Sequence, residues 1–178
     1  ERTFNVGVAE ANMIGVAAGL ATTGKIPFAH SFATFSSRRC FDQIAISVCY
    51  AKLKVCIIGS DPGVAAELNG GTHMALEDVG IMRTLPGIMI VEPTDGVQLK
   101  AMLPAIIADE RPVYIRLFRK AAECVFQDGY VFRPGKADLV KEGTDVTIFA
   151  TGVCVHESLL AAEVLAKEGL NARVVNMH

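Results

Sequence analysis

Apolar positions fall in short blocks that alternate between two periodicities along the chain. Continuous runs such as "FNVGV", "PFAHSF", "KVCIIGS", "GIMIVEP", "VYIRLF", "DVTIFATG" and "ARVVNM" predict strands. Several have the composition of strands buried on both faces of a parallel sheet. Helical patterns lie between them, over residues 9–23, 38–51, 76–84, 95–108 and 155–169. In the first, Met13, Val16, Ala17 and Leu20 stand at i, i+3, i+4 and i+7 and predict its buried stripe. In the fourth, Asp95 and Gln98 form a capping-box pattern after the turn at Pro93. Strand alternating with helix predicts an α/β fold, a parallel sheet with helices on both faces and right-handed crossovers.

The pattern weakens after "YIRLFRK", where polar residues, Gly and Pro mix with short extended pieces. The reading is a first unit over residues 1–119, a linker or β-rich connection over 120–143, and a second α/β unit over 144–178. One strand–helix–strand cannot cover both faces of a sheet, so the second unit is expected to be truncated. The first is expected to lack its opening elements.

Composition narrows the classes. The chain has 178 residues, enough for a sizeable core, and is rich in Ala, Val, Ile and Gly with no Trp. A net charge of −2, with both signs scattered, leaves no footprint for nucleic acid or a membrane surface. No apolar run reaches the roughly 18–20 residues that span a bilayer, and nothing at the start reads as a signal peptide. The five cysteines are odd in number and lack CxxC spacing. They are read as reduced thiols used as small core residues, and the protein is expected to be cytoplasmic, with no metal site in this chain.

Ligands of open α/β sheets sit beyond the C-terminal ends of the strands. Four clusters fall there: Glu10 after "FNVGV", "HSFATF" on the second strand, "GSDPGVAAELNGGTH" after the third, and "RLFRK" after the fifth. Glu10 is either a first-turn carboxylate that favours a helix N-terminus or a buried acid that shares a proton with a weakly basic ring nitrogen. Burial raising its pKa would favour the second role. Phe32 and Phe35 point to opposite faces on a strand but flank one cavity across a turn; they are core residues or a stacking platform for a flat ring. The loop after the third strand is long for a βα connection, and Gly63, Gly70 and Gly71 let its backbone approach a ligand. His73 is a structural histidine or a hydrogen-bonding and proton-shuttling group. Arg116 and Arg119 are solvated cations or a grip for phosphate or carboxylate.

The order of these blocks, strand–"GVAEANM"–helix, "PFAHSFATF…RRCFDQI", "GSDPGV…GGTHMALEDVGIMRTLPGIMIVEPTDG" and "YIRLFRK", resembles transketolase over essentially the whole chain. The match is to the pyrimidine-binding domain and the start of the C-terminal domain of that thiamine-diphosphate family. The resemblance implies that Glu10 bonds N1′ of the cofactor's aminopyrimidine and favours its imino tautomer. It likewise implies that Phe35 stacks on the pyrimidine with Phe32 beside it, that His73 lies near the substrate, and that Arg119 grips a phosphate. Glu10 and His73 are thus the expected catalytic residues. The implied activity is transfer of a two-carbon ketol unit between sugar phosphates.

Departures fall on the substrate side. Where transketolases commonly read "SHAGVSVGEDGATHQ", this chain reads "SDPGVAAELNGGTHM". Asp61 replaces a histidine, Asn69 an aspartate and Leu68 a glutamate, so Asp61 and Asn69 are expected to alter the choice of sugar. The "GDG…N" motif that binds the diphosphate through Mg²⁺ is absent. The resemblance therefore implies a C-terminal subunit or fragment completed by a diphosphate-binding partner, in a homodimer or an α2β2 assembly. Two alternatives remain: a deoxyxylulose-phosphate-synthase-like enzyme that uses pyruvate, and a non-catalytic, degenerate subunit.

Overall fold

The computed structural model describes residues 2–178. The chain forms two compact units, Glu1–Val91 with Asp109–Arg119, and Glu92–Ala108 with Lys120–His178. The first contains α1 (Glu10–Thr22), β1 (Phe28–Phe32), α2 (Ala33–Ser37), α3 (Phe41–Gln43), β2 (Cys56–Ser60), α4 (Asp78–Met82), β3 (Met89–Val91) and β4 (Val113–Leu117). Its sheet is parallel throughout, in the order β1-β2-β4-β3. The expected α/β class with a parallel sheet is what the chain adopts.

Register matters more than strand order here. Phe32 pairs with Ser60 and Ser60 with Leu117, so β1, β2 and β4 end level with one another. The segments that leave those ends therefore start from one rim. Between β1 and β2 the chain stays helical but irregular. A 3₁₀ turn (Arg38–Cys40) separates α2 from α3, and a π-helical stretch (Ile44–Tyr50) follows. Local π and 3₁₀ geometry re-aims side chains relative to a regular helix.

The core of this unit joins Ile14, Ala17 and Ala18 to Ala29, Ile44, Val48, Ile57, Met82 and Tyr114. The buried line of α1 is thus Glu10–Ile14–Ala17–Ala18, not the expected Met13–Val16–Ala17–Leu20. Val16 is exposed and Met13 half-buried. The helix is apolar on almost every side, so periodicity had no polar face to mark the outside. The expected strand "FNVGV" does not form either. Asn5 Oδ1 accepts a bond from the Gly7 backbone N–H at 2.9 Å, and Gly7 takes φ +74°. That local side-chain turn competes with extended pairing.

The second unit contains α5 (Gly96–Ala108), β5 (Asp138–Lys141), β6 (Val146–Ala150), α6 (Cys154–Lys167) and β7 (Ala172–Asn176). β7 pairs parallel to β6 and antiparallel to β5. The expected capping pair is present, since Gln98 N–H donates to Asp95 Oδ1 at 2.8 Å. The Gln98 side chain, however, reaches back to Thr94 N–H at 2.8 Å rather than to Asp95. Its Nε2 also donates to Tyr130 Oη at 3.0 Å and Asp138 Oδ2 at 3.2 Å, and Asn176 Nδ2 donates to Gln98 Oε1 at 3.2 Å. This network ties β5 and β7 to α5. Beneath α6, Ala162, Ala172 and Val174 form a small apolar core.

The cysteines divide. Cys40, Cys49 and Cys56 are buried, and Cys124 and Cys154 are exposed, so only three fill core space. Burial pushes all three core thiols up, Cys40 to about 12. Thiol titration with an aromatic disulfide should therefore count two reactive cysteines in the native protein and five after denaturation. A second outcome concerns Gly59, whose added Cβ would lie 2.9 Å from Ala33 Cα and overlap the Tyr114 hydroxyl. Gly59→Ala should lower stability by about 1–3 kcal/mol, measured by urea unfolding.

Candidate functional site

Glu10 is the first residue of α1 and only 6% exposed. Ser31 Oγ donates to its Oε1 at 3.1 Å, and Arg39 Nη1 donates to its Oε2 at 2.8 Å. Burial pushes the carboxyl up. The hydrogen bond from Arg39, the backbone N–H of Glu10 itself, the Ser31 hydroxyl and the Arg39 charge together outweigh it, and Glu10 is held below the usual glutamate value. The sequence left a capping carboxylate and a proton-sharing acid open, with a raised pKa as the condition favouring the second, and the observed direction is the opposite one. It comes from Arg39, which sequence spacing did not connect to a residue 29 positions earlier. Its one visible signal was the Arg-Arg pair in "RRCFDQI".

β1 ends at Phe32 and α2 begins at Ala33. The chain turns between the two phenylalanines, and their rings meet edge to face with centroids 6.0 Å apart. His73 stands against both, 5.4 Å from Phe32 and 5.0 Å from Phe35. The Thr72 hydroxyl lies 2.9 Å from His73 Nδ1. The Arg39 guanidinium covers Phe35 at 3.9 Å, and that of Arg119 lies 5.2 Å from the Phe32 centroid.

Asp61 follows β2 and Arg119 lies two residues beyond β4. Arg119 Nε pairs with Asp61 Oδ2 at 2.8 Å, and the Arg119 backbone N–H donates to Oδ1 at 3.2 Å. A continuous series of contacts thus runs Glu10–Arg39–Phe35–His73–Phe32–Arg119–Asp61. It holds six of the seven residues to which the family resemblance gave a role. Asn69 is the exception: it is exposed at the end of the 3₁₀ turn Gly63–Asn69, where its carbonyl accepts from the Thr72 hydroxyl at 3.5 Å. Arg116 also lies apart from the series, its Nε paired with buried Asp78 at 2.8 Å.

A cavity of about 720 Å³ opens among Thr34, Phe35, Arg38, Arg39, Gly71, Thr72 and His73. That volume is in the range of small-molecule sites. Arg38 bonds the Thr34 hydroxyl and pairs through Nε with Glu77 at 2.9 Å. Chemically, the arrangement offers an ionised buried carboxylate, an aromatic face that already carries a flat cation, a histidine, and arginines beyond it. Among the described residues, no group of three His, Cys, Asp or Glu side chains is placed to hold a metal ion. No helix among them is long and apolar enough to cross a membrane.

This constellation on a parallel sheet has a family. Residues 1–123 match the transketolase pyrimidine-binding domain and residues 135–178 the transketolase C-terminal domain, and the chain belongs to the transketolase family. It is 59% identical, over 99% of its length and 55% of the relative's, to the 6-deoxy-6-sulfo-D-fructose transketolase subunit SqwH of Clostridium sp. (strain MSTE9). It is 42% identical to a putative transketolase C-terminal section of Methanocaldococcus jannaschii, over 99% of this chain and 57% of that one. A split-gene transketolase solved as an inactive β4 tetramer superposes with a TM-score of 0.89 at 45% identity, covering 98% of this chain and 55% of that one. The chain spans about half the length of the curated relatives it matches.

Arg39 is the testable hinge of the site's electrostatics. Arg39→Met removes both its hydrogen bond and its charge, which leaves burial to push Glu10 upward. Carboxyl-carbon NMR titration should then place Glu10 above its value in the unchanged protein. The sign for stability follows. A carboxyl depressed by folding adds stability that is full above its unfolded pKa and is lost as pH falls through the folded one. The variant should lose that contribution.

Proposed function

We propose that this chain is the C-terminal subunit or section of a thiamine-diphosphate-dependent, transketolase-like enzyme that moves a two-carbon ketol unit between sugars. The observation that carries the reading is the contact series from Glu10 to Arg119, which joins an ionised carboxylate, two aromatic rings, a histidine and an exposed arginine. The family membership and the half-length match to SqwH and to the M. jannaschii section support it.

The residues fit the pyrimidine half of the cofactor. Phe35 already accepts a flat cationic group on its face at 3.9 Å, as a stacking ring would, and Glu10 presents a buried carboxylate. A carboxylate has about four lone-pair sites, and Arg39 and Ser31 occupy one on each oxygen. Glu10 can therefore accept a further donor without releasing either. When bound, thiamine diphosphate supplies an electron sink for breaking a carbon–carbon bond next to a ketose carbonyl.

Everything else falls to the protein's own groups. Glu10, kept ionised, acts as the acceptor for a ring N–H at N1′ and holds the proton there. Phe35 and Phe32 fix the plane of that ring and keep water from the carboxylate. His73 stands against both rings and would bond hydroxyls of the sugar and hand a proton to or from its reacting oxygen. Arg119 takes the sugar's anionic end. Mg²⁺ and the diphosphate would be held by a diphosphate-binding partner domain or subunit, in a homodimer or an α2β2 assembly, in the cytoplasm. Exposed apolar residues just before and within α1, Val8 at 90% exposure and Val16 at 38%, are suited to such a partner.

The sugar in SqwH's name makes 6-deoxy-6-sulfo-D-fructose the first ketose to test. The chain is mixed with a diphosphate-domain partner, Mg²⁺ and thiamine diphosphate, and ketoses and pyruvate are screened for turnover and covalent adducts. Ketol transfer supports the proposal. Pyruvate consumption with release of CO₂ would move the chain to the synthase-like alternative. A formed complex with no adduct from any donor would leave a non-catalytic subunit. In the active assembly, Glu10→Gln should slow exchange of the cofactor's C2–H by about 10²-fold or more, the usual scale of an acid–base contribution. Unchanged exchange would remove Glu10 from its role.

A further inference from the structure

Asp61 is a costly residue. Only 1% of it is exposed, and it takes φ +50°. Left-handed backbone at a residue other than glycine persists where surrounding bonds hold it, and such positions cluster at binding sites. Two hydrogen bonds and one ion pair do the holding. The Asp61 N–H donates to Leu117 O at 2.9 Å, at the end of β4, Oδ1 accepts from the Arg119 backbone N–H, and Oδ2 stands in an ion pair with Arg119 Nε.

Arg119 is held asymmetrically. Its Nε edge is used by Asp61, while its side chain remains 59% exposed beside Phe32. The four Nη donors are thus the part turned to a ligand. The other two arginines of the site are balanced in the same way, Arg38 by Glu77 and Arg39 by Glu10. Each arginine in contact with the Phe32–Phe35–His73 cluster or lining its cavity carries one carboxylate, so the site offers hydrogen-bond donors with almost no net positive charge.

Such a grip discriminates by charge rather than by shape. A phosphate monoester carries about −1.5 to −2 at pH 7, whereas a sulfonate is a monoanion with three similar oxygens. Each added negative charge near Arg119 is drawn by the guanidinium but repelled by the fixed Asp61 carboxylate, so the pair offsets the larger desolvation of a dianion less than a lone arginine would. We propose that Asp61 is a specificity-determining residue that sets Arg119 to prefer a sugar ending in a monoanion, such as a sulfonate, over one ending in a phosphate dianion. This rests on the reading that Arg119 takes the substrate's anionic end, and on nothing about turnover.

The test uses two anions of matched size, methanesulfonate and methyl phosphate. They are titrated at about pH 8, where the phosphate is a dianion, into the full chain, with the Arg119 Nε–H followed by NMR. In the unchanged protein methanesulfonate should bind at least as tightly as methyl phosphate, despite its lower charge. Asp61→Asn should move the ratio of the two dissociation constants about tenfold toward phosphate. That is the size of a unit-charge interaction across roughly 7 Å at a partly solvated site. A ratio unmoved in Asp61→Asn would overturn the proposal. So would a tenfold preference of the unchanged protein for methyl phosphate, or no response of Arg119 to either anion. The first measurement needs no variant and stands if Asp61→Asn does not fold. Because binding is read without cofactor or partner, failure here is separate from an assembly that turns over no ketose.

Discussion

The level pairing of β1, β2 and β4 is the constraint on which the site depends. Parallel strands with Phe32, Ser60 and Leu117 in register deliver three separate stretches of chain to one rim. A shift of one residue in any strand would exchange inward and outward side chains along its whole length. Phe32, Asp61 and Arg119 would then no longer meet. The close approach of Ala33 and Tyr114 around Gly59 belongs to the same constraint, since it keeps the start of α2 tight against β2.

On that rim, charge is arranged in pairs. Glu10 is deeply buried, and an unpartnered carboxylate there would tend to neutralise. Arg39 prevents this by bonding Glu10 while lying across Phe35, so one guanidinium both sets the ionisation of the acid and covers the aromatic face. At the other end of the contact series Arg119 pairs with Asp61 and lies 5.2 Å from the Phe32 centroid. The result is a site with many fixed donors and acceptors and little net charge. Such a site recognises geometry and ligand charge state more than it attracts ions at long range.

Parts of the site were legible for a physical reason and parts were not. Glu10, Phe32, Phe35 and His73 could be found because each is out of character locally: an acid in an apolar run, paired aromatics across a strand end, a histidine after a glycine-rich loop. Arg39 was not found. Its role comes from a partner 29 residues away and from the irregular helix that aims it, and neither leaves a periodic mark. The α1 stripe was misread because an almost wholly apolar helix gives no contrast between faces. The "FNVGV" run was misread because one Asn side chain and one glycine outweighed its apolar composition.

By itself the sequence determined the class: alternating apolar blocks specify the strands and helices of an α/β fold, and the order of its motif blocks resembles that of the transketolase family. It also fixed which residue types were available for chemistry. Tertiary structure alone decided which of them touch. It chose Arg39 as the partner of Glu10, turned a strand end so that Phe32 and Phe35 face the same histidine, left Asn69 outside, and set Asp61 against Arg119. These are choices between residues far apart in the chain, made by strand register and by the cost of burying an unpaired charge, and local propensity carries no information about either.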